Sequence, residues 1–161
     1  MKKPPAVAGR PTSRVTVLSV DPSEEDHATL ANIFNGSPWS LCPEARWTLK
    51  TSVTLRSAWG VLSGGGVPIV LCECELRPGT WRELLEQVSE LPEPPFLIVT
   101  SRLADERLWA EALNLGAYDV LAKPFDPTEV TRVVSLAWLR WQQWYETAAA
   151  GMQAVAAGGR P

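Results

Sequence analysis

The stretch from Phe96 to Phe125, FLIVTSRLADERLWAEALNLGAYDVLAKPF, decides the fold. It opens with Phe96-Leu97-Ile98-Val99, a short apolar run set off by Pro92, Pro94 and Pro95. That is the pattern of a strand buried on both faces of a parallel sheet. Thr100 and Ser101 close the run with hydroxyls. Leu108, Ala112 and Leu115 then recur at i, i+4 and i+7, which predicts a helix, and Gly116 stands where a C-cap glycine belongs. Val120-Leu121-Ala122 reads as a second strand that delivers Lys123, and Pro124 stops it. In open α/β sheets the C-terminal strand ends face the ligand crevice, so Thr100 and Lys123 are expected to look into one site.

The same alternation extends back to the start of the chain. Val15 to Val20 is a β-branched run of strand length that ends at Asp21-Pro22-Ser23. Ser23, with Asp26 three residues on, fits a helix N-cap, and Glu24 and Glu25 suit the positive end of the helix dipole. His27, Leu30, Ala31 and Phe34 share one face of that helix, so the single histidine is expected to be a satisfied, partly buried side chain rather than a ligand. Trp39 to Trp47 reads as a strand, and Pro43 inside it places that strand at an edge. Thr51 to Ser63 reads as a helix presenting Val53, Ala58 and Leu62, ended by Gly64-Gly65-Gly66. This triplet is a linker and not a phosphate loop, since no Gly-Lys-Ser/Thr follows. Val67 to Gly79 gives the third strand and its exit loop, and Trp81, Leu84, Leu85 and Val88 mark a short amphipathic helix. Five such alternations predict an α/β fold with a doubly wound parallel sheet.

Composition narrows the function. A chain of 161 residues is expected to form one domain with a sizeable core. A net charge of −3 gives no electrostatic case for binding nucleic acid. No apolar run approaches the roughly 20 residues that cross a bilayer, and MKKPPAVAGRP lacks the apolar core of a signal peptide. A cytoplasmic location follows as the expectation, with no membrane partner. Cys42, Cys72 and Cys74 are an odd set with no histidine nearby, which suits reduced core thiols better than a metal or redox site.

Thr100, the turn Leu115-Gly116-Ala117-Tyr118-Asp119 and Lys123-Pro124-Phe125 together resemble the receiver domain of bacterial two-component response regulators. The likeness covers roughly Arg14 to Tyr145. It implies a five-stranded flavodoxin-like sheet in the order 2-1-3-4-5, with a flexible arm over residues 1–13, the domain over 14–145 and a flexible tail over 146–161. No output domain is expected. Receivers take a phosphoryl group from a histidine kinase on an aspartate ending the third strand, while two acids ending the first strand help hold Mg²⁺. Here Asp21 matches the first acid and Pro22 replaces the second. The acceptor position falls on Glu73, or on Cys74 if the register shifts by one; neither is aspartate. Thr100 and Lys123 match the switch and phosphate-binding positions, while the aromatic switch position is Val120.

These departures imply a receiver with a degenerate phosphorylation site and no catalytic residues. No cofactor is expected, and Mg²⁺ would find only Asp21 of the family's acidic pair. Glu73 can instead hold a permanent charge toward Lys123; the bland alternative is an ion pair with no signalling role. The last helix opens with Asp126-Pro127-Thr128-Glu129, an N-cap followed by proline at the first helical position. Its core stripe is Val130, Val133, Val134, Ala137 and Trp141, which leaves Trp138, Trp144 and Tyr145 around other faces. Trp138, Trp141, Trp144 and Tyr145 are therefore the expected contact surface for a protein partner or a second copy. The reading is a stand-alone receiver-like protein, not an enzyme, that signals by protein–protein contact. The alternatives are a true phosphoacceptor using Glu73 or another acid, and a small flavodoxin-like cofactor-binding enzyme.

Overall fold

The computed structural model describes residues 13–158. Five strands, β1 (Arg14–Val20), β2 (Arg46–Ser52), β3 (Ile69–Glu73), β4 (Phe96–Ser101) and β5 (Asp119–Ala122), form one sheet in the order β2-β1-β3-β4-β5. All neighbouring pairs are parallel. Five helices connect and close it: α1 (Glu24–Gly36), α2 (Leu55–Leu62), α3 (Trp81–Val88), α4 (Glu106–Leu115) and α5 (Pro127–Gly158). This is the flavodoxin-like arrangement expected.

The period-2 alternation of the central strands divides the core in two. Leu18, Val20, Val70, Cys72, Leu97, Val99 and Val120 face α2, α3 and α4, where Trp81, Leu84 and Ala112 meet them. Val17, Ile69, Leu71, Ile98 and Leu121 face the other way, toward Leu30 and Phe34 of α1 and Val130, Val134 and Ala137 of α5. Side-chain caps set where the helices start. Ser23, Thr54, Thr80 and Asp105 each accept from a backbone N–H of the first turn. Gly116 ends α4 at φ +102°, a left-handed conformation that costs glycine no Cβ clash.

Two expectations are corrected. The edge strand is not Trp39 to Trp47 but Arg46–Ser52. Pro38 and Pro43 break the earlier stretch into turns, and its aromatic residue caps α1 instead: the Trp39 ring lies edge-on to Phe34 at 5.0 Å and stacks on Trp47 at 4.3 Å. The following helix begins at Leu55, not Thr51, because Thr51 and Ser52 are spent pairing with β1 and Thr54 supplies the cap. Val53 is consequently an exposed loop residue, while Ala58 and Leu62 are buried as expected. Beyond Glu146, α5 continues as far as Gly158. The arm expected over residues 1–13 lies, apart from Ser13, outside the described residues.

The thiols of Cys42 and Cys72 are buried, and burial pushes both upward in pKa. Among the described residues, no helix is long and apolar enough to cross a membrane.

Candidate functional site

At the C-terminal edge of the sheet, one further backbone hydrogen bond beyond the strands fixes each site segment. Asp21 N–H donates to the Ser52 carbonyl, Cys74 N–H to that of Thr100 and Lys123 N–H to that of Ser101, each at 2.9 Å. The register sets Glu73 opposite Thr100. Asp21, Glu73, Thr100 and Lys123 therefore start from adjacent strand ends on one side of the molecule.

Their side chains converge on one atom. Lys123 Nζ donates to Asp21 Oδ2 at 2.5 Å, to Asp26 Oδ2 at 2.9 Å and to Glu73 Oε2. The Lys123 side chain is only 2% exposed, so this is a buried ion cluster and not a surface pair. Thr100 Oγ1 donates to the same Glu73 oxygen at 3.5 Å. The backbone N–H of Glu75 reaches the other carboxylate oxygen, Oε1, at 3.4 Å. Of the two acceptor-position candidates, Glu73 is the one whose side chain meets Lys123. Cys74 turns aside, with its Sγ 3.1 Å from Ser101 Oγ. Val120 is buried against the α4 side of the core.

Asp26 was not among the expected site residues. It was read only as part of the α1 cap, yet it opens the buried stripe that continues through Leu30 and Ile33 at i+4 and i+7. A carboxylate at the head of an apolar stripe, facing a strand end, was the available signal. Ser23 places it: its Oγ accepts the Asp26 N–H at 3.2 Å, and its own N–H holds Asp21 Oδ1 at 2.8 Å. Arg102, also unforeseen, reaches over from the segment after β4. Its Nη2 straddles both Asp26 oxygens at 3.0 and 3.1 Å. Nothing in the spacing of Arg102 announces this contact.

Three carboxylates thus surround Lys123, with Arg102 as a second cation. Burial pulls the Lys123 pKa down, but Asp21, Glu73 and Asp26 together outweigh it and leave the ammonium above the usual lysine value. Burial likewise pushes Asp26 up, and Lys123 with Arg102 reverses this to hold it below the ordinary carboxylate range.

His27, next in the chain, is buried as expected but not satisfied: its Nε2 has no hydrogen-bond partner among the described residues. The ring's other contact is a hydrogen bond with the Ser19 backbone, and Asp21, Asp26 and Lys123 of the cluster are near enough to act on its charge. Burial lowers its pKa, against the opposing pull of Asp21.

The aromatic residues of α5 divide into two groups. Trp141 Nε1 and Tyr145 Oη both donate to the Pro94 carbonyl, at 3.1 and 3.0 Å. Trp141 also stacks with Trp138 at 5.7 Å and contacts Tyr145 at 4.2 Å. Trp141, expected in the core stripe, and Tyr145 are both half-buried; their polar atoms need an acceptor, and the loop before β4 offers one. Trp144 is the exposed member, at 67%. It borders an open groove with Arg140, Thr147 and the stacked rings of Phe96 and Tyr118.

A 2-1-3-4-5 parallel sheet with acids and a lysine gathered at its C-terminal edge defines a receiver-type α/β module. Comparison with known proteins agrees. The chain is 31% identical over 129 residues to the two-component response regulator ORR6 of Oryza sativa subsp. japonica, spanning 76% of this chain and 71% of that one. It is 30% identical over 123 residues to the two-component response regulator ORR11 of Oryza sativa subsp. indica, spanning 74% and 78%. No family model matches. Among solved structures, the signal receiver domain of an HD domain-containing protein from Pseudomonas fluorescens Pf-5 superposes with a TM-score of 0.70 at 23% identity, over 83% of this chain and 93% of that one. A CheY-like response regulator receiver domain protein from Methanospirillum hungatei JF-1 gives 0.68 at 17% identity, over 81% and 98%. The chain belongs to the two-component response regulators and carries their receiver fold.

Proposed function

We propose that this receiver signals without accepting a phosphoryl group, through protein–protein contacts. The observation that carries the reading is the Glu73 carboxylate, bonded at once by Lys123 and Thr100. At the acceptor position a glutamate carries one methylene more than aspartate, and a displacement of about 1 Å can cost roughly a hundredfold in a positioned reaction. The carboxylate is also committed: its charge is already met by the ammonium that would otherwise receive a phosphoryl group of about −1.5 to −2.

The cation that receivers use fits poorly here. Mg²⁺ wants carboxylate and water oxygens in near-octahedral array. Asp21, Asp26 and Glu73 direct theirs at Lys123 Nζ, and position 22 is proline. Among the described residues, no group of three or more His, Cys, Asp or Glu is arranged to hold a metal.

In this reading the site is a fixed-charge version of a switch, set by Glu73 and Lys123, with Asp21 and Thr100 supporting them. The protein contact surface lies along α5, where Trp144 is exposed. Incubation with acetyl phosphate and Mg²⁺, followed by intact-mass spectrometry, tests the chemistry. The protein should remain unmodified. A stoichiometric acid-labile phosphoryl adduct on Glu73, or on any other acid, would refute the proposal and favour a true phosphoacceptor.

A further inference from the structure

We infer that Arg102 is a positioning residue: through Asp26 it pins the β4–α4 loop to α1 and holds that loop in one conformation over the ion cluster. The inference stands on its own geometry and does not depend on whether Glu73 accepts a phosphoryl group.

The loop runs from Arg102 to Asp105, between Ser101 at the end of β4 and Glu106 at the start of α4. Its backbone is tied down locally at two points. Leu103 N–H donates to Ser101 Oγ at 3.0 Å, and Asp105 N–H donates to the Leu103 carbonyl at 2.9 Å. Both bonds lie within the loop and its root, so neither fixes where the loop sits against the rest of the fold. Leu103 makes no anchor either; at 76% exposed it is among the most solvent-facing large apolar side chains described. The side-chain bond that crosses out of the loop is Arg102 Nη2 to both oxygens of Asp26, on a helix from the opposite face of the sheet.

Asp26 is a suitable anchor because it is itself immobilised. Its Oδ2 also accepts from Lys123 Nζ, its backbone N–H is held by Ser23 Oγ, and its side chain is 10% exposed. Lys123 in turn is bonded to β1 through Asp21 and to β3 through Glu73. The loop is therefore linked by one residue to a rigid cluster assembled from three strand ends and a helix. Arg102 is the solvent-facing end of that chain, at 59% exposed, and so the link that can be removed without opening the core. Cutting it leaves the loop with its local bonds, an exposed Leu103 and the small methyl contact of half-buried Ala104 with the core, and with no polar side-chain tie to α1.

Hydrogen exchange on the ¹⁵N-labelled full chain tests this. The readouts are the Leu103 and Asp105 amides, with strand amides of Val70 and Ile98 as internal reference. Arg102→Ala should speed exchange at Leu103 and Asp105 about fivefold, the scale of a charged pair that is only half buried, and leave the strand amides unchanged. Arg102→Lys should recover part of the protection, since it keeps the charge and loses the guanidinium. In an Asp26→Ala background, Arg102→Ala should add almost nothing, because the two act through one contact. Loop rates within twofold of wild type in Arg102→Ala would overturn the inference. So would equal acceleration of loop and strand amides, or full additivity with Asp26→Ala.

Discussion

Replacing Lys123 by methionine leaves an unbranched apolar side chain one atom shorter and removes the ammonium with its charge and its three donated hydrogen bonds. In the folded protein the ammonium is surrounded by Asp21, Asp26 and Glu73, whose side chains are themselves 3%, 10% and 12% exposed. Without it, three carboxylates share one nearly dry pocket, and Arg102, half in solvent, reaches only Asp26. Breaking one buried pair costs about 3–5 kcal/mol. The repulsion among three acids adds to that, while protonation of one of them relieves it. The expected loss at neutral pH is about 3–5 kcal/mol, a large share of the roughly 5–15 kcal/mol available to a domain of this kind. Urea unfolding should show a lower midpoint with an unchanged slope. The gap from wild type should narrow on acidification, because carboxyls crowded without a cation take up protons at higher pH than the same groups held by Lys123. Adding Glu73→Gln to Lys123→Met should recover part of the loss at pH 7. Coincident midpoints at pH 7, or a gap that widens as the pH falls, would refute the reasoning.

Wild-type stability should itself depend on pH in two ranges. Asp26 is lowered in the fold, so its contribution is complete above the unfolded value of 3.8 and lost as the pH drops through the lower folded one. Lys123 is raised, so its contribution is complete below 10.5 and lost as the pH climbs through the folded value; urea midpoints that stay level through both ranges would count against the cluster. His27, the single histidine of the chain, should give one imidazole titration by NMR with a midpoint below 6.5, and a midpoint at or above that would mean the ring is not buried beside the cluster as described. Tyr145→Phe should cost about 1 kcal/mol by removing one of two donors to the Pro94 carbonyl, a typical net hydrogen-bond contribution. The Tyr145 hydroxyl should also titrate late, near 12, because burial disfavours the phenolate; a titration near 10 would place it in water. Trp144→Ala should change stability by less than about 0.5 kcal/mol while weakening a partner contact by about 2 kcal/mol; a larger loss in unfolding experiments would show the ring is packed.

The central strands were legible because both their faces are covered: uninterrupted apolar runs such as Phe96 to Val99 and Ile69 to Leu71 admit few other readings. The edge strand was not, because only one face of β2 meets the core. Its alternation, Trp47 and Leu49 against Thr48 and Lys50, is weak beside the tryptophan-rich turn that precedes it. At the site, Asp21, Glu73, Thr100 and Lys123 could be placed because each ends or follows a strand, and strand ends in such sheets have a known address. Asp26 and Arg102 come from a helix and a loop. Which way they point depends on the rotation of α1 and the path of the chain after Ser101, and neither is written in local spacing. The bonds of the two ring donors of α5 were hidden for a similar reason, since their shared acceptor lies 47 and 51 residues away in the chain.

The continuation of α5 has a mechanical consequence. At 1.5 Å per residue its 32 residues make a rod about 48 Å long. Val130, Val133, Val134 and Ala137 bed one end of that rod in the sheet, and the Trp141 and Tyr145 bonds to Pro94 clamp it where it leaves. From Tyr145 to Gly158 the arm beyond the clamp measures about 20 Å. A tilt of about 10° at the clamp would carry the tip roughly 3 Å sideways. Any small adjustment between the sheet and α5 would therefore reach the far end of the helix enlarged in proportion to that arm.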